Sequence, residues 1–184
     1  MQEIFNLSKI KKRVDSKHPP AIIVVDTNII MNTPDFRQWK TTVSEPIFIL
    51  SDVVLIELEH IRNRRKKEVE SVKSADEAIN RVSWLFHQGD IIDGILITEV
   101  GWFISIPSPA EDAINEALRQ LGSIVEGFGR GDSKFIILTR ELSELMPDNT
   151  VVFYTGDINL YNVAQANGFP VSYTHLTLPT ILLV

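Results

Sequence analysis

Apolar positions along the chain fall into two alternating patterns, short continuous runs and longer amphipathic stretches. The runs AIIVV at 21–25, IFIL at 47–50 and VVFY at 151–154 are apolar at every position. Such runs are typical of strands that are buried on both faces of a parallel sheet. ILITEV and WFISI, on either side of Gly101, have the composition of a hairpin or of two short strands.

The amphipathic stretches between these runs predict helices. Ser51 and Asp52 are good N-cap residues for the stretch VVLIELEHIRNRRKK, and Asp132 and Asp157 stand where two later helices begin. The expected helices cover about residues 53–67, 72–87, 109–125, 132–145 and 157–167. Because strands alternate with helices, we expect an α/β fold, a three-layer sandwich whose central parallel sheet is covered on both faces by helices.

Length and composition suit one compact domain, and the chain divides into three segments. Its 184 residues are 44% hydrophobic and 23% charged, which is typical of a single globular domain. Residues 1–20 form a basic, weakly patterned arm that ends at Pro19 and Pro20, which disfavour a helix running on into the next element. The domain itself is expected at 21–170.

The last segment, residues 171–184, has the unusual sequence VSYTHLTLPTILLV. Its first ten residues resemble a translated reading frame of a sequencing-library adapter, so we expect a non-native tail in place of the true C-terminus. An ordinary final strand rich in threonine and leucine is the alternative. We assign no function to these residues.

Composition and charge exclude several kinds of functional site. The chain has no cysteine, which excludes disulfides, thiolate-zinc sites and cysteine nucleophiles and makes a reducing cytoplasm the simplest compartment. No apolar run approaches the roughly 20 residues that cross a bilayer, and the N-terminus lacks the apolar core of a signal peptide. A net charge of -6 limits any nucleic-acid contact to a local basic patch.

Four acidic residues lie where strands end or helices begin. Asp26 and Asp157 follow buried strands, Asp132 follows a glycine-rich loop, and Glu57 lies about two turns into a helix. Ligands of open α/β sheets bind outside the carboxyl ends of the strands, so these carboxylates could converge. Their mutual repulsion would then require a divalent cation. All-oxygen ligands favour Mg²⁺ or Mn²⁺, and phosphodiester hydrolysis is the natural reaction of such a site.

Each acid also has an ordinary structural explanation. Asp26 and Asp157 suit helix caps as well as they suit catalysis. On the Glu57 helix, Glu59 and Asp52 are nearby alternatives, because solvated helix faces are rich in acidic residues. The hypothesis of a metal site therefore depends on the four residues as a set.

In combination, four segments resemble the successive motifs of the PIN domain family in order and spacing. They are VVDTNII, VVLIELEHI, GRGDSKFIIL and FYTGDINLYNVAQANGFPV, and together they cover about residues 22–170. The resemblance implies a Rossmann-like fold of the PIN type with a Mg²⁺ or Mn²⁺ site. It also implies hydrolysis of single-stranded RNA that leaves a 5′-phosphate.

The resemblance further implies a role for each motif residue. The catalytic residues, which are also the metal ligands, would be Asp26, Glu57, Asp132 and Asp157. Asn28 and Thr155 match positions that polarise or orient the acidic site. Asn159 stands where some relatives carry a further acid, so a second metal would be held weakly or only with substrate, and one-metal chemistry stays open.

A weaker resemblance, carried by VVLIELEHIRNRRKK, links the chain to the PIN portion that precedes a PhoH-like ATPase in some bacterial proteins. The sequence has no GxxxxGK motif followed by Ser or Thr, so we assign no nucleotide binding. The implied partner is single-stranded RNA, while a homodimer, an inhibitory antitoxin-like protein and a fused ATPase domain stay open. Two other functions also stay open: a catalytically inactive PIN-fold module that binds RNA or protein, and an acid-cluster phosphatase.

A basic patch on the same predicted helix as Glu57 is a candidate contact for RNA phosphates. It comprises Arg62, Arg64, Arg65, Lys66 and Lys67. The alternative is a solvated helix face on which these cations pair with Glu59, Glu68 and Glu70 at helical spacing.

Replacing Arg64 and Arg65 with glutamine tests the patch. If these side chains contact the RNA backbone, the double variant should bind RNA more weakly and with a flatter dependence on salt, because fewer counterions are released. Fluorescence anisotropy over a series of salt concentrations measures both quantities, and metal binding should not change. An unchanged salt slope would exclude the patch from substrate binding.

Overall fold

The computed structural model describes residues 7–39, 41, 43–63, 69–108, 111–121, 130–166 and 168–173. The helices are α1 (Leu7–Asp15), α2 (Thr27–Asn32), α3 (Asp52–Asn63), α4 (Val69–Phe86), α5 (Glu111–Leu121), α6 (Arg130–Leu145) and α7 (Ile158–Ala166), with a short 3-10 turn at Phe36–Gln38. The strands are β1 (Ala21–Val25), β2 (Ile47–Ser51), β3 (Ile95–Ile97), β4 (Gly101–Ile106), β5 (Thr150–Thr155) and β6 (Val171–Tyr173).

The six strands form one sheet in the order β3-β4-β2-β1-β5-β6. Every neighbouring pair is parallel except β3 and β4, which form an antiparallel hairpin. The hairpin enters β4 at Gly101, which has a φ of 147° and lies so close to Pro46 that a Cβ would stand 2.5 Å from its carbonyl oxygen. Only glycine suits this position. The predicted α/β fold with a central parallel sheet is confirmed, and the sheet is parallel except for β3.

The central strands are buried on both faces. Every residue of β1 and β2 is buried, and neighbouring residues of a strand point to opposite faces, so both faces must be covered. This is the three-layer arrangement that the alternation of strands and helices predicts. Part of the core is a cluster of four aromatic side chains, in which the centroids of the contacting rings are between 4.9 and 5.7 Å apart: Phe36, Trp39, Phe48 and Phe103.

The order of the strands determines where a ligand can bind. β2 and β4 lie on one side of β1, whereas β5 and β6 lie on the other. Connections that leave neighbouring parallel strands toward opposite sides open a crevice outside the carboxyl ends of those strands. Asp26 directly follows β1 and Thr155 ends β5, so both residues lie at this crevice.

The N-terminal segment differs from the weakly patterned arm expected at residues 1–20. Residues Leu7–Asp15 form α1, and its Ile10 and Val14 are buried in the main hydrophobic core. The Asn149 side chain also donates a hydrogen bond to the Pro19 carbonyl oxygen at 3.1 Å. Two apolar residues four apart form a narrow stripe on one face of a short helix, which explains how a helix with so many lysines can pack against the core. The division of the chain at residue 20 stays a prediction.

Helix α4 corresponds to the helix predicted at 72–87, and it begins earlier, at Val69. Its buried residues Ala75, Ala78, Val82 and Leu85 share one face, as their spacing predicts. No helix within the described ranges combines the length and the apolar character that crossing a membrane requires.

The C-terminal segment is described only in part. Val171–Tyr173 form β6, a short strand parallel to β5. Residues 174–184 lie outside the described residues. The interpretation of 171–184 as a non-native tail, and with it the domain boundary at 170, therefore stays a prediction.

Replacing Val14 with alanine should lower the free energy of unfolding by about 2 kcal/mol, because two buried carbon atoms are lost and a cavity remains. Urea denaturation followed by circular dichroism measures the change. Lys12→Ala, an exposed position on the same helix, is the control. Equal stabilities of the two variants would show that α1 does not pack against the domain in solution.

Candidate active site

Asp26 occupies the N-cap position of α2 but does not cap that helix. Its side chain accepts no hydrogen bond from the α2 backbone. The residue is 2% exposed, and its Oδ2 accepts hydrogen bonds from the Thr155 hydroxyl at 2.6 Å and from Asn28 Nδ2 at 3.4 Å. Helix capping therefore does not account for this buried carboxylate.

The Thr155 hydroxyl connects three parts of the crevice. Thr155 is the last residue of β5 and is fully buried. Its hydroxyl donates to Asp26, which follows β1, and accepts a hydrogen bond from the Asp157 backbone N–H at 3.0 Å. One side chain thus orients the Asp26 carboxylate relative to the start of α7.

Asp157 is bound differently from Asp26, because its side chain caps α7. Asp157 Oδ1 accepts hydrogen bonds from the backbone N–H groups of Asn159 at 2.7 Å and Leu160 at 3.2 Å. The structural explanation that the sequence offered for this acid is therefore observed. The Asn159 side chain is exposed on the same turn.

Glu57 reaches the crevice from α3. Its Oε2 accepts a hydrogen bond at 2.5 Å from the hydroxyl of Thr27, the residue that follows Asp26. Thr27 is itself buried. The connection from β2 into α3 is thus short enough to bring a helix residue to the carboxyl end of β1.

The nearby acids of α3 have other contacts. Asp52 accepts a hydrogen bond from the Ser108 backbone N–H at 2.7 Å, which ties the end of β4 to α3. Glu59 forms an exposed ion pair with Arg62 at 3.7 Å. For Arg62 the structure thus shows the solvated pairing that was the alternative to RNA contact, and the rest of the basic patch, residues 64–67, lies outside the described residues.

Asp26, Glu57 and Asp132 lie close enough for their charges to act on one another. Burial raises the pKa of Asp26 from its ordinary value of 3.8 to about 6, and the charges of Glu57 and Asp132 contribute to the rise. Burial also raises the pKa of Glu57, and Asp132 contributes again. Asp132 belongs to the first turn of α6. The structure thus brings three of the four predicted acids together.

Three further side chains at this crevice were missed in the sequence. Besides Thr27, Lys134 lies close enough to Glu57 for its positive charge to offset part of the rise in the Glu57 pKa, and a protonated His60 would act in the same direction. Lys134 is largely buried and pairs with Glu111 on α5 at 3.1 Å. Thr27 could have been suspected because it adjoins Asp26, but the pairing of Lys134 depends on how α5 and α6 pack.

The carboxylate oxygens of Asp26, Glu57 and Asp132 are suitable ligands for a divalent ion, although they are not arranged around one common position. The three coupled carboxylates offer only oxygen ligands, as Mg²⁺ and Mn²⁺ prefer, and a cation would relieve their repulsion. Within the described ranges, however, no group of three or more His, Asp or Glu side chains is arranged to hold a metal ion. The four carboxylates expected from the sequence are therefore not arranged as a metal site in this structure, and the Asp157 side chain caps α7 instead.

Asp26→Asn should stabilise the protein at pH 7 in the presence of EDTA. Because the native pKa is raised, the native state keeps a proton that the unfolded chain loses between about pH 4 and 6, and stability falls as pH rises through that range. A shift of this size corresponds to about 3 kcal/mol. Urea denaturation from pH 4 to 8 measures the slope, with Asp148→Asn, an exposed acid, as control. Equal stabilities of wild type and Asp26→Asn at pH 7 would contradict the raised pKa.

Comparison with known proteins identifies the family. No curated protein matches the sequence. Among solved structures, a domain of a functionally unknown protein from Methanocaldococcus jannaschii DSM 2661 is similar over 89% of this chain and 98% of that chain, with 14% identity and a TM-score of 0.48. The family model of the PIN domain matches residues 23–175, a range that contains all four predicted acids. The resemblance seen in the motifs is confirmed, and the chain belongs to the PIN domain family.

Proposed function

We propose that the chain is a Mg²⁺- or Mn²⁺-dependent endoribonuclease that hydrolyses phosphodiester bonds of single-stranded RNA. PIN domains are generally nucleases, which supports hydrolysis of nucleic acid. The observation that carries the proposal is that Thr155 holds Asp26 at the carboxyl ends of β1 and β5, while Thr27 bonds Glu57 beside it. Asp132, in the first turn of α6, lies close enough for its charge to act on both. Burial raises the pKa of Asp26 and that of Glu57, and raised carboxyl pKa values in a crevice are characteristic of functional sites.

Asp26, Glu57 and Asp132 would hold the ion. Asp26 would offer Oδ1, because the two hydrogen bonds that the described residues donate to it both go to Oδ2. Asp157 would join through Oδ2, because Oδ1 accepts the two cap hydrogen bonds. The bound ion would supply positive charge to the phosphate and make the attacking water more acidic.

Hydrogen bonds from neighbouring side chains would keep these carboxylates oriented for binding. Thr155 and Asn28 hold Asp26, and Thr27 holds Glu57. Such contacts limit the rotamers of the ligands, so less side-chain freedom is lost when the ion and substrate bind. The low exposure of Asp26 also keeps water away, so its charge is poorly screened and acts strongly on a nearby cation.

RNA would approach through local positive charge, because the net charge of the chain is -6. Lys134 lies beside Glu57, and residues 64–67, which are all basic, follow α3 directly. Cations next to an acidic site can hold the flanking phosphates of a strand whose scissile phosphate lies among the acids. This supports RNA, a polyanion, over a small phosphate ester as the substrate.

A catalytically inactive PIN-fold module that binds RNA or protein is the second candidate. The observation in its favour is that, in the part of the chain the structure describes, the acids are not arranged to hold an ion. Asn159 adds to it, because this exposed amide stands where some relatives carry an acid. Such a module would bind RNA without cleaving it.

Incubation with a single-stranded oligoribonucleotide should give cleavage that requires Mn²⁺ or Mg²⁺. Asp26→Asn should lower the rate at least about 100-fold, since even the outer partners of metal ligands are commonly worth about 10- to 100-fold. Denaturing electrophoresis of end-labelled RNA measures the rate. Asp148→Asn, an exposed acid just before β5, is the control and should keep full activity.

Three other outcomes would each lead to a different conclusion. RNA binding without metal-dependent cleavage would favour the inactive module. Hydrolysis of p-nitrophenyl phosphate while the RNA stays intact would favour an acid-cluster phosphatase. Cleavage that persists in excess EDTA would contradict the metal-dependent mechanism.

A further inference from the structure

Gly131, in the first turn of α6, lies against the side chain of Glu57. A Cβ built on Gly131 would overlap Glu57 Oε1 and would stand 3.1 Å from the carboxyl carbon. The Glu57 carboxylate therefore occupies the space that any other residue at 131 would fill. Backbone strain does not explain the glycine, because Gly131 lies within α6 and its φ is not left-handed.

Glycine at position 131 makes α6 less stable than most other residues would. Apart from proline, glycine is the poorest helix former, and alanine would suit α6 better if local structure alone decided. A glycine inside a helix often marks a place where another group approaches closely. Here the approaching group is a carboxylate of the acidic site.

We propose that Gly131 is a positioning residue for Glu57, leaving room for Oε1 while the Thr27 hydroxyl holds Oε2. The two contacts place the carboxylate between the first turn of α6 and the residue that follows Asp26. Thr27 and Gly131 would act on the reaction through Glu57 rather than by touching substrate. The inference rests on the proposed function, because it concerns how the same site is built.

The position over α6 also suits the charge of Glu57. The first turn of a helix has N–H groups without intrahelical partners and the positive end of the helix dipole, both of which favour a nearby carboxylate. A methyl group at 131 would push the carboxylate off this turn. Because Oε1 is the end of a flexible side chain, Glu57 can move without the backbone, so Gly131→Ala should displace Glu57 and leave the fold intact.

A thermal-stability cycle in EDTA tests the contact without metal or substrate. Gly131→Ala is introduced into the wild-type chain and into Glu57→Ala, and the change in melting temperature is compared. In Glu57→Ala the new methyl group meets no carboxylate, so the better helix former should raise the melting temperature. In the wild-type chain, Gly131→Ala should give a melting temperature change that is at least about 2–4 °C lower than its change in Glu57→Ala.

Gly89→Ala is the matched control for this cycle. A Cβ on Gly89 would stand 3.5 Å from the Ile95 side chain, which is an ordinary contact, and its φ is not left-handed. This change should shift the melting temperature equally in both backgrounds. Equal effects of Gly131→Ala in the two backgrounds would overturn the proposal.

Titration with Mn²⁺ alone, followed by calorimetry, tests the consequence for the site. Gly131→Ala should weaken Mn²⁺ binding at least about tenfold, as loss of an outer partner of a metal ligand does, and it should have no further effect in Glu57→Ala. Thr27→Val, which removes the hydroxyl from the other oxygen, should also weaken binding. An unchanged Mn²⁺ affinity in Gly131→Ala would overturn the positioning role.

The two experiments separate this inference from the proposed nuclease function. If the wild-type chain binds no Mn²⁺ and cleaves no RNA, the nuclease function fails, while the cycle in EDTA still decides whether Gly131 positions Glu57. If the chain cleaves RNA but the cycle shows no coupling, the nuclease function stands and the role of Gly131 fails.

Discussion

The site depends on holding the buried Asp26 carboxylate near two partly buried ones, those of Glu57 and Asp132. Burial is the largest cause of the raised pKa of Asp26, and the charges of Glu57 and Asp132 add to it. Two carboxylates about 4 Å apart repel by roughly 4 kcal/mol at an effective dielectric of about 20, so a fold that keeps such groups together must restrain them. The buried strands supply the rigid frame, and the hydroxyls of Thr155 and Thr27 supply the local restraint.

The pairing of β1 with β5 decides which acid becomes buried. Asp26 and Asp157 share one local pattern, an acid that follows a buried strand at the start of a helix. Asp157 accepts hydrogen bonds from the backbone of its helix, whereas the shortest hydrogen bond to Asp26 comes from a hydroxyl 129 residues distant in sequence. A carboxylate thus caps a helix at position 157, whereas at position 26 burial and neighbouring acids disfavour its charged form.

Much of the fold and part of the site followed from the sequence. Continuous apolar runs identified the central strands, because a strand buried on both faces has no polar position to interrupt the run. The motif resemblance pointed to Glu57, and the contacts of Asp52 and Glu59 agree with that assignment. The packed helix α1 was missed because only Ile10 and Val14 mark its buried face. Gly131 was interpreted only as part of the glycine-rich loop before Asp132, whereas it lies in α6 against Glu57. The sequence could not show this contact, because an absent side chain has no chemical signature.

By itself the sequence determined the alternation of strands and helices, the family, and the four acids that end strands or begin helices, because these are local patterns of residue type. Only the tertiary structure decided that Asp26, Glu57 and Asp132 meet while Asp157 caps α7. Distance between side chains depends on strand order and on the packing of α3 against α6, and neither is encoded in the spacing of residues along the chain. The physical reason is that electrostatic coupling acts through space.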